Sequence, residues 1–183
     1  MTMESYIIFW KREKINRILR NGDMGPLSVL YGGPHQSQPP LGKVGVGDRV
    51  FVINVTGGVL YLFGRMSIDA IVDAGTYLRD TLGTVNPEHM WDTYWNKHKD
   101  EVTHKIPTTC ADNAALGVDG TSLRLREVPA DIAARIHLGP KPGRENPLRS
   151  QNGLISTVGL AGYYRRLSYD SAALFDELLV DDI

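Results

Sequence analysis

One cysteine, Cys110, stands in 183 residues, so no intramolecular disulfide can form. Cysteine this scarce fits a reducing compartment. Charge of one sign is also missing: 20 basic residues face 21 acidic ones, for a net charge of −1. The chain as a whole therefore offers nucleic acid no attractive field, although a local patch can still do so. No apolar run is long enough to span a membrane. The short stretch at 6–10 meets charges at once and does not read as a leader, so the expected location is the cytoplasm. Catalytic signatures are scarce as well. There is no G-x-S-x-G and no Cys–His pair at a telling spacing. Gly45-Val46-Gly47 is too short for a dinucleotide loop and precedes a strand. His35, His89, His98, His104 and His137 lack metal-ligand spacing, since His89 and His98 lie nine positions apart. No metal and no cofactor is expected.

What is there centres on residues 44–72, VGVGDRVFVINVTGGVLYLFGRMSIDAIV. Gly47-Asp48 is a turn pair, because glycine reaches positive φ and aspartate bonds nearby backbone. Along 49–55, Val50 and Val52 fall on one face and Phe51, Ile53 and Val55 on the other. Both faces are apolar, which predicts a strand covered on both sides. Thr56-Gly57-Gly58 signals a hairpin. Gly64 inside the returning strand predicts a bulge or a close backbone approach. A bent, two-sided hairpin of this kind suits a small barrel better than a flat sheet.

The flanks are mixed. Residues 6–10 read as a strand. Residues 11–20 read as an amphipathic helix with Ile15, Ile18 and Leu19 inward, ended by Asn21-Gly22. Pro34, Pro39 and Pro40 make 31–43 a loop. A helix is expected over 87–99, opened by Asn86 and Pro87. Residues 121–128 alternate like a half-exposed strand. Residues 139–153 form a second Pro/Gly-rich loop. A closing helix over 168–179 is expected, capped by Asp170 or Ser171. The length fits a single domain over 1–183, with a helical insertion around 75–100.

A strand ending in an aromatic (Ile7-Ile8-Phe9-Trp10), a short basic helix, Leu27-Ser28-Val29, and then Val46-Gly47-Asp48-Arg49-Val50 before a hairpin and Gly64-Arg65 come in an order that resembles the PUA-like superfamily. Within it, the EVE and ASCH groups are nearest in pattern, with YTH and SRA modified-base readers as relatives. The resemblance covers roughly residues 5–72, and more weakly 121–128 and the C-terminal strand. It implies an α+β fold, a PUA-like mixed β-barrel of about five to six strands flanked by short helices. It also implies DNA or RNA as partner, with a flipped or modified base in an aromatic-lined pocket. By position, Trp10 matches the aromatic after the first strand, and Ser28 a polar pocket residue. The long loop at 31–43, the segment 87–99 and everything after 139 depart from the family pattern.

Holding a base takes aromatic faces and edge-reading polar groups. Trp10, Tyr31, Tyr61, Trp91 and Trp95 are the candidate faces, and Asn54, Ser28 and Thr56 the candidate edge readers. Each has a structural alternative: aromatics on amphipathic segments serve cores, and small polar residues serve turns. Phosphates need cations. Lys11, Arg12, Lys14, Arg17 and Arg20 form one cluster; Lys141, Arg144, Arg149, Arg165 and Arg166 form another; Arg65 joins the candidate phosphate contacts. Solvated surface is the alternative for both clusters. Two other functions stay open: a nucleotide or nucleoside binder or hydrolase on an ASCH-like barrel, and a protein-interaction module docking through 31–43.

Overall fold

A computed structural model of the chain describes residues 3–20, 22, 24–33, 39–82, 89–91, 105–107 and 111–180. The framework is a mixed nine-stranded sheet with four short helices around it. Its strands are β1 (Ser5–Phe9), β2 (Val29–Gly32), β3 (Arg49–Thr56), β4 (Val59–Asp73), β7 (Asn113–Val118), β8 (Arg126–Glu127), β9 (His137–Leu138), β10 (Asn146–Pro147) and β13 (Tyr164–Leu167). Outside it lie two small pairs: β5 (His89–Trp91) with β6 (Lys105–Pro107), and β11 (Ser150–Gln151) with β12 (Leu154–Ile155). The helices are α1 (Arg12–Arg20), α2 (Ala74–Leu82), α3 (Ala130–Ala133) and α4 (Tyr169–Glu177).

Strand order is β10-β9-β13-β1-β3-β4-β7-β2, with β8 also paired to β4. β1 and β3 run parallel, joined by the crossover through α1. β3 and β4 form the expected hairpin. Its turn residues Gly57 and Gly58 have φ of +60° and +79°, the positive pair that a tight hairpin turn requires. The bulge expected near Gly64 is present: Val52 faces Gly64 and Ile53 faces Leu62, leaving Phe63 unmatched. A second irregularity leaves Asp69 unmatched against β7. These two kinks bend the 15-residue β4, so its first half pairs with β3 and its second half with β7.

The closed barrel of the sequence reading is not what forms. Among the described residues the sheet stays open, because its terminal strands β10 and β2 do not pair. Those strands are two and four residues long, which leaves little ladder with which to close.

β3 is the spine of the core. Phe51, Ile53 and Val55 pack on one face with Phe175, Leu167, Ile136 and Leu160. Val50 and Val52 pack on the other with Phe63, Met66, Trp10 and the α1 residues Ile15 and Ile18. The two-sided burial read from the sequence is therefore correct. Each such side chain contributes about 1.5–3 kcal/mol when fully buried. A third cluster joins Tyr31, Val29 and Ala114 to Ala74 and Leu78 of α2.

Three local expectations change. Residues 89–91 of the expected 87–99 helix form β5 instead, paired antiparallel with β6; residues 87–88 and 92–99 lie outside the described residues. Only Arg126 and Glu127 of the expected 121–128 strand join the ladder. The backbone groups before them go elsewhere, with Leu27 N–H donating to the Thr121 carbonyl and Leu123 N–H to the Met24 carbonyl. α4 is capped by Ser168, whose hydroxyl accepts from Ser171 N–H at 3.2 Å, not by Asp170 or Ser171.

Candidate functional site

A groove of about 1220 Å³ runs along β13 and the loops beside β9 and β10, walled on the far side by residues 40–43. Register builds its floor. β13 lies antiparallel to β1 with Tyr6 opposite Arg166 and Ile8 opposite Tyr164, so Tyr6 and Arg166 stand side by side. Among the described residues the lining carries four basic residues, Lys43, Arg149, Arg165 and Arg166, and no Asp or Glu; Arg166, opposite Tyr6, and Arg165, opposite Ile7, project from opposite faces of β13. Because Arg166 is paired with Glu4 and Glu145, the excess of positive charge rests on Lys43, Arg149 and Arg165. Tyr6, Tyr163 and Tyr164 add aromatic surface, and Ser150 and Ser156 add hydroxyls.

The four cations are not equivalent. Arg166 is held by two carboxylates from outside the lining: its Nε donates to Glu4 Oε2 at 2.6 Å and its Nη1 to Glu145 Oε1 at 3.0 Å. Burial opposes the Arg166 charge, but the hydrogen bonds to Glu145 and Glu4 outweigh it and fix the cation. The same bond from Arg166 holds the Glu145 carboxyl below the usual range. Arg149 and Arg165 are exposed, and their side chains make no ion pair among the described residues. Burial, then the nearby Asp48 and Glu4 charges, push the Tyr6 hydroxyl above its ordinary value. It therefore stays a neutral donor, bonded to the Lys43 carbonyl at 3.2 Å.

The pocket candidates from the sequence lie elsewhere. Trp10 is buried against Phe63, with ring centroids 6.1 Å apart, and the Lys14 ammonium sits 3.8 Å from its ring centre. Asn54 is buried beside it. Its Nδ2 donates to the Trp10 carbonyl at 2.8 Å, and its Oδ1 accepts from the Thr56 hydroxyl at 2.7 Å. The Nδ2 bond thus ties the chain just after β1 to β3, and the Oδ1 bond stays within β3. Tyr31 is buried in the third cluster, 6.4 Å from the Tyr77 ring. Tyr61 is half-buried under the Arg12 guanidinium, 5.6 Å from its ring centre. Ser28 is half-buried, and its carbonyl accepts from Gly117 N–H. Trp91 lies on β5, and Trp95 falls outside the described residues. Trp10 and Asn54 are brought together, with Tyr61 directly opposite Asn54 in the β3–β4 ladder; Tyr31 joins neither them nor the groove.

Of the phosphate candidates, Arg149 lines the groove and Arg144 is exposed on the neighbouring loop. Lys11, just before α1, and Arg17, on it, are exposed; Arg12 and Lys14 are half-buried on α1, and none of these lines the groove. Arg65 is buried on β4. Its Nη1 pairs with Asp176 at 3.1 Å and its Nη2 donates to the Asp119 carbonyl at 3.1 Å, so it serves the fold. Tyr6, Lys43, Tyr163 and Tyr164 were not singled out from the sequence. The run Tyr163-Tyr164-Arg165-Arg166, aromatic beside basic, is the signal that marks this edge. Among the described residues, no three His, Cys, Asp or Glu side chains are placed to hold a metal ion.

No family model matches the chain, and no curated protein matches it. Among solved structures, the chain is similar to that of the ASCH protein of Zymomonas mobilis, with 18% identity, coverage of 80% of this chain and 89% of that one, and a TM-score of 0.34. A Tyr-to-Phe mutant of the same protein matches at 16% identity over 80% and 91% of the two chains, with a TM-score of 0.35. A Ser-to-Ala mutant matches at 18% over 80% and 89%, with a TM-score of 0.36.

Proposed function

We propose that this chain is a PUA-like nucleic-acid-binding protein that takes a phosphodiester backbone into the groove along β13. The observation that carries the reading is an excess of positive charge: Lys43, Arg149 and Arg165, beside an Arg166 already paired with Glu4 and Glu145, line one groove of a slightly acidic chain. Phosphate contacts of this kind supply most sequence-independent affinity for nucleic acids. The PUA-like assignment rests on the strand order, with parallel β1 and β3, the hairpin that follows, and the bent β4. The finer reading, recognition of a flipped or modified base, passes from Trp10 and Tyr31, whose rings are buried in the core, to the tyrosines of the groove.

Fluorescence anisotropy with labelled single strands and duplexes of DNA and RNA, with and without modified bases, tests the proposal. The expected result is salt-sensitive binding that is lost in a Lys43→Ala, Arg149→Ala, Arg165→Ala variant and kept in a Lys11→Ala, Arg17→Ala variant of α1. Absent or salt-independent binding, or loss confined to the α1 variant, would overturn it.

A further inference from the structure

We infer that the strand accepted by the groove is single and that Tyr163 is the platform on which one of its bases stacks. This rests on the groove being a nucleic-acid site. Three tyrosines line the groove, and two are already engaged. Tyr6 is 7% exposed, with its hydroxyl bonded to the Lys43 carbonyl. Tyr164 is half-buried and packs against the core on the α1 side. Tyr163 is 63% exposed and directly precedes Tyr164, the first residue of β13.

An exposed tyrosine alone means little, because apolar surface is common on folded proteins. Its position gives it meaning. Arg165, two residues on, and Arg149, in the same lining, are its exposed guanidiniums. Val158, 66% exposed, adds apolar surface to the same lining. A ring beside phosphate-binding cations can receive a base only if that base presents a free face. In a duplex both faces of each internal base are stacked on neighbours, and only edges and backbone are offered. In a single strand the faces are available, and aromatic rings beside a cationic track are how such strands are held without sequence preference. DNA and RNA single strands share this chemistry.

The test uses the full chain and two labelled homopolymers, oligo-dT and oligo-U, with a hairpin duplex as competitor. Single strands should bind and the duplex should compete weakly. Tyr163→Ala should weaken single-strand binding by roughly 5- to 150-fold, the range that base–aromatic stacking supplies. Tyr163→Phe should restore it, because the ring face and not the hydroxyl does the stacking. Tyr163→Ala should leave the salt slope unchanged, whereas Arg165→Ala should reduce it by about 0.7. A strand carrying 2-aminopurine should lose fluorescence on binding to the native chain and retain it with Tyr163→Ala. The exposed position of Tyr163 lets the variant fold, which its melting curve checks. Equal binding of single strands and duplex, indifferent to Tyr163→Ala, overturns this inference and leaves the groove reading standing. Failure of every probe to bind overturns the groove reading and this inference with it.

Discussion

Replacing Asp176 by asparagine removes one negative charge from between two guanidiniums. Asp176, near the end of α4, receives Arg49 Nη1 on one oxygen and Arg65 Nη1, at 3.1 Å, on the other. The two arginine side chains are 15% and 11% exposed, against 26% for the aspartate. Their Nε groups are buried without a hydrogen-bond partner, so little else compensates the charge. Breaking a buried pair costs about 3–5 kcal/mol, because the charge left behind is unpaired. Partial exposure of Asp176 moves the expectation to the low end, and asparagine keeps one acceptor. The expected loss is therefore about 3 kcal/mol, or roughly 6–12 °C in Tm for a chain of this length. Urea unfolding followed by circular dichroism measures it, with an unchanged m-value as the sign of a stability effect. A second variant sharpens the reasoning. Adding Arg65→Met removes one of the two stranded charges, so the double variant should be more stable than Asp176→Asn alone. A loss below about 0.5 kcal/mol for Asp176→Asn, or a double variant less stable than the single, refutes the charge-pair account of α4 docking.

Other perturbations have definite outcomes. Asn54→Leu should cost about 1–3 kcal/mol in chemical denaturation, because the Trp10 carbonyl and the Thr56 hydroxyl lose their buried partner; oligonucleotide affinity should not change. Gly58→Ala should weaken the β11–β12 hairpin against β4: an added Cβ meets Leu154 at 2.6 Å, and φ is +79°. Faster amide exchange at Ile155, which donates to the Gly58 carbonyl, would report it. Glu145 titrates below the ordinary carboxylate range because Arg166 bonds its charged form, with burial opposing. The stability this adds is fully present above the unfolded carboxylate value and is lost as pH falls through the lowered one. Glu145→Gln should therefore flatten that part of the pH–stability profile, and an unchanged profile would contradict the pairing.

The spine of the fold was legible because its signals are local. The alternation in β3, the Gly57-Gly58 turn and the bulge beside Gly64 each depend on a few neighbouring residues. The openness of the sheet was not legible, since closure depends on whether distant ends meet. Residues 89–91 misled because Asn86 and Pro87 signal a helix start, which β pairing with 105–107 overrode. For the aromatic candidates, the sequence leaves exposure undecided. Trp10 and Tyr31 have the composition of a base pocket, but whether a ring faces solvent or core is decided by packing, here by Phe63, Lys14 and Tyr77. The groove is assembled from two-residue strands and loops between 138 and 166, whose placement comes from long-range pairing with β1 and not from any pattern in their own sequence. Arg149, Arg165 and Arg166 were visible as charges, and their union was not.

The most direct test of the groove as a phosphate site is the salt dependence of oligo-dT binding. Arg166 is neutralised by Glu4 and Glu145, which leaves Lys43, Arg149 and Arg165 to meet phosphates. At about −0.7 for each phosphate contact on a single strand, the plot of log K against log salt should have a slope of about −2. The Lys43→Ala, Arg149→Ala, Arg165→Ala variant should bring that slope close to zero, while the Lys11→Ala, Arg17→Ala variant should leave it in place. A slope that survives loss of the three groove cations, or that vanishes with the α1 pair, would contradict the account.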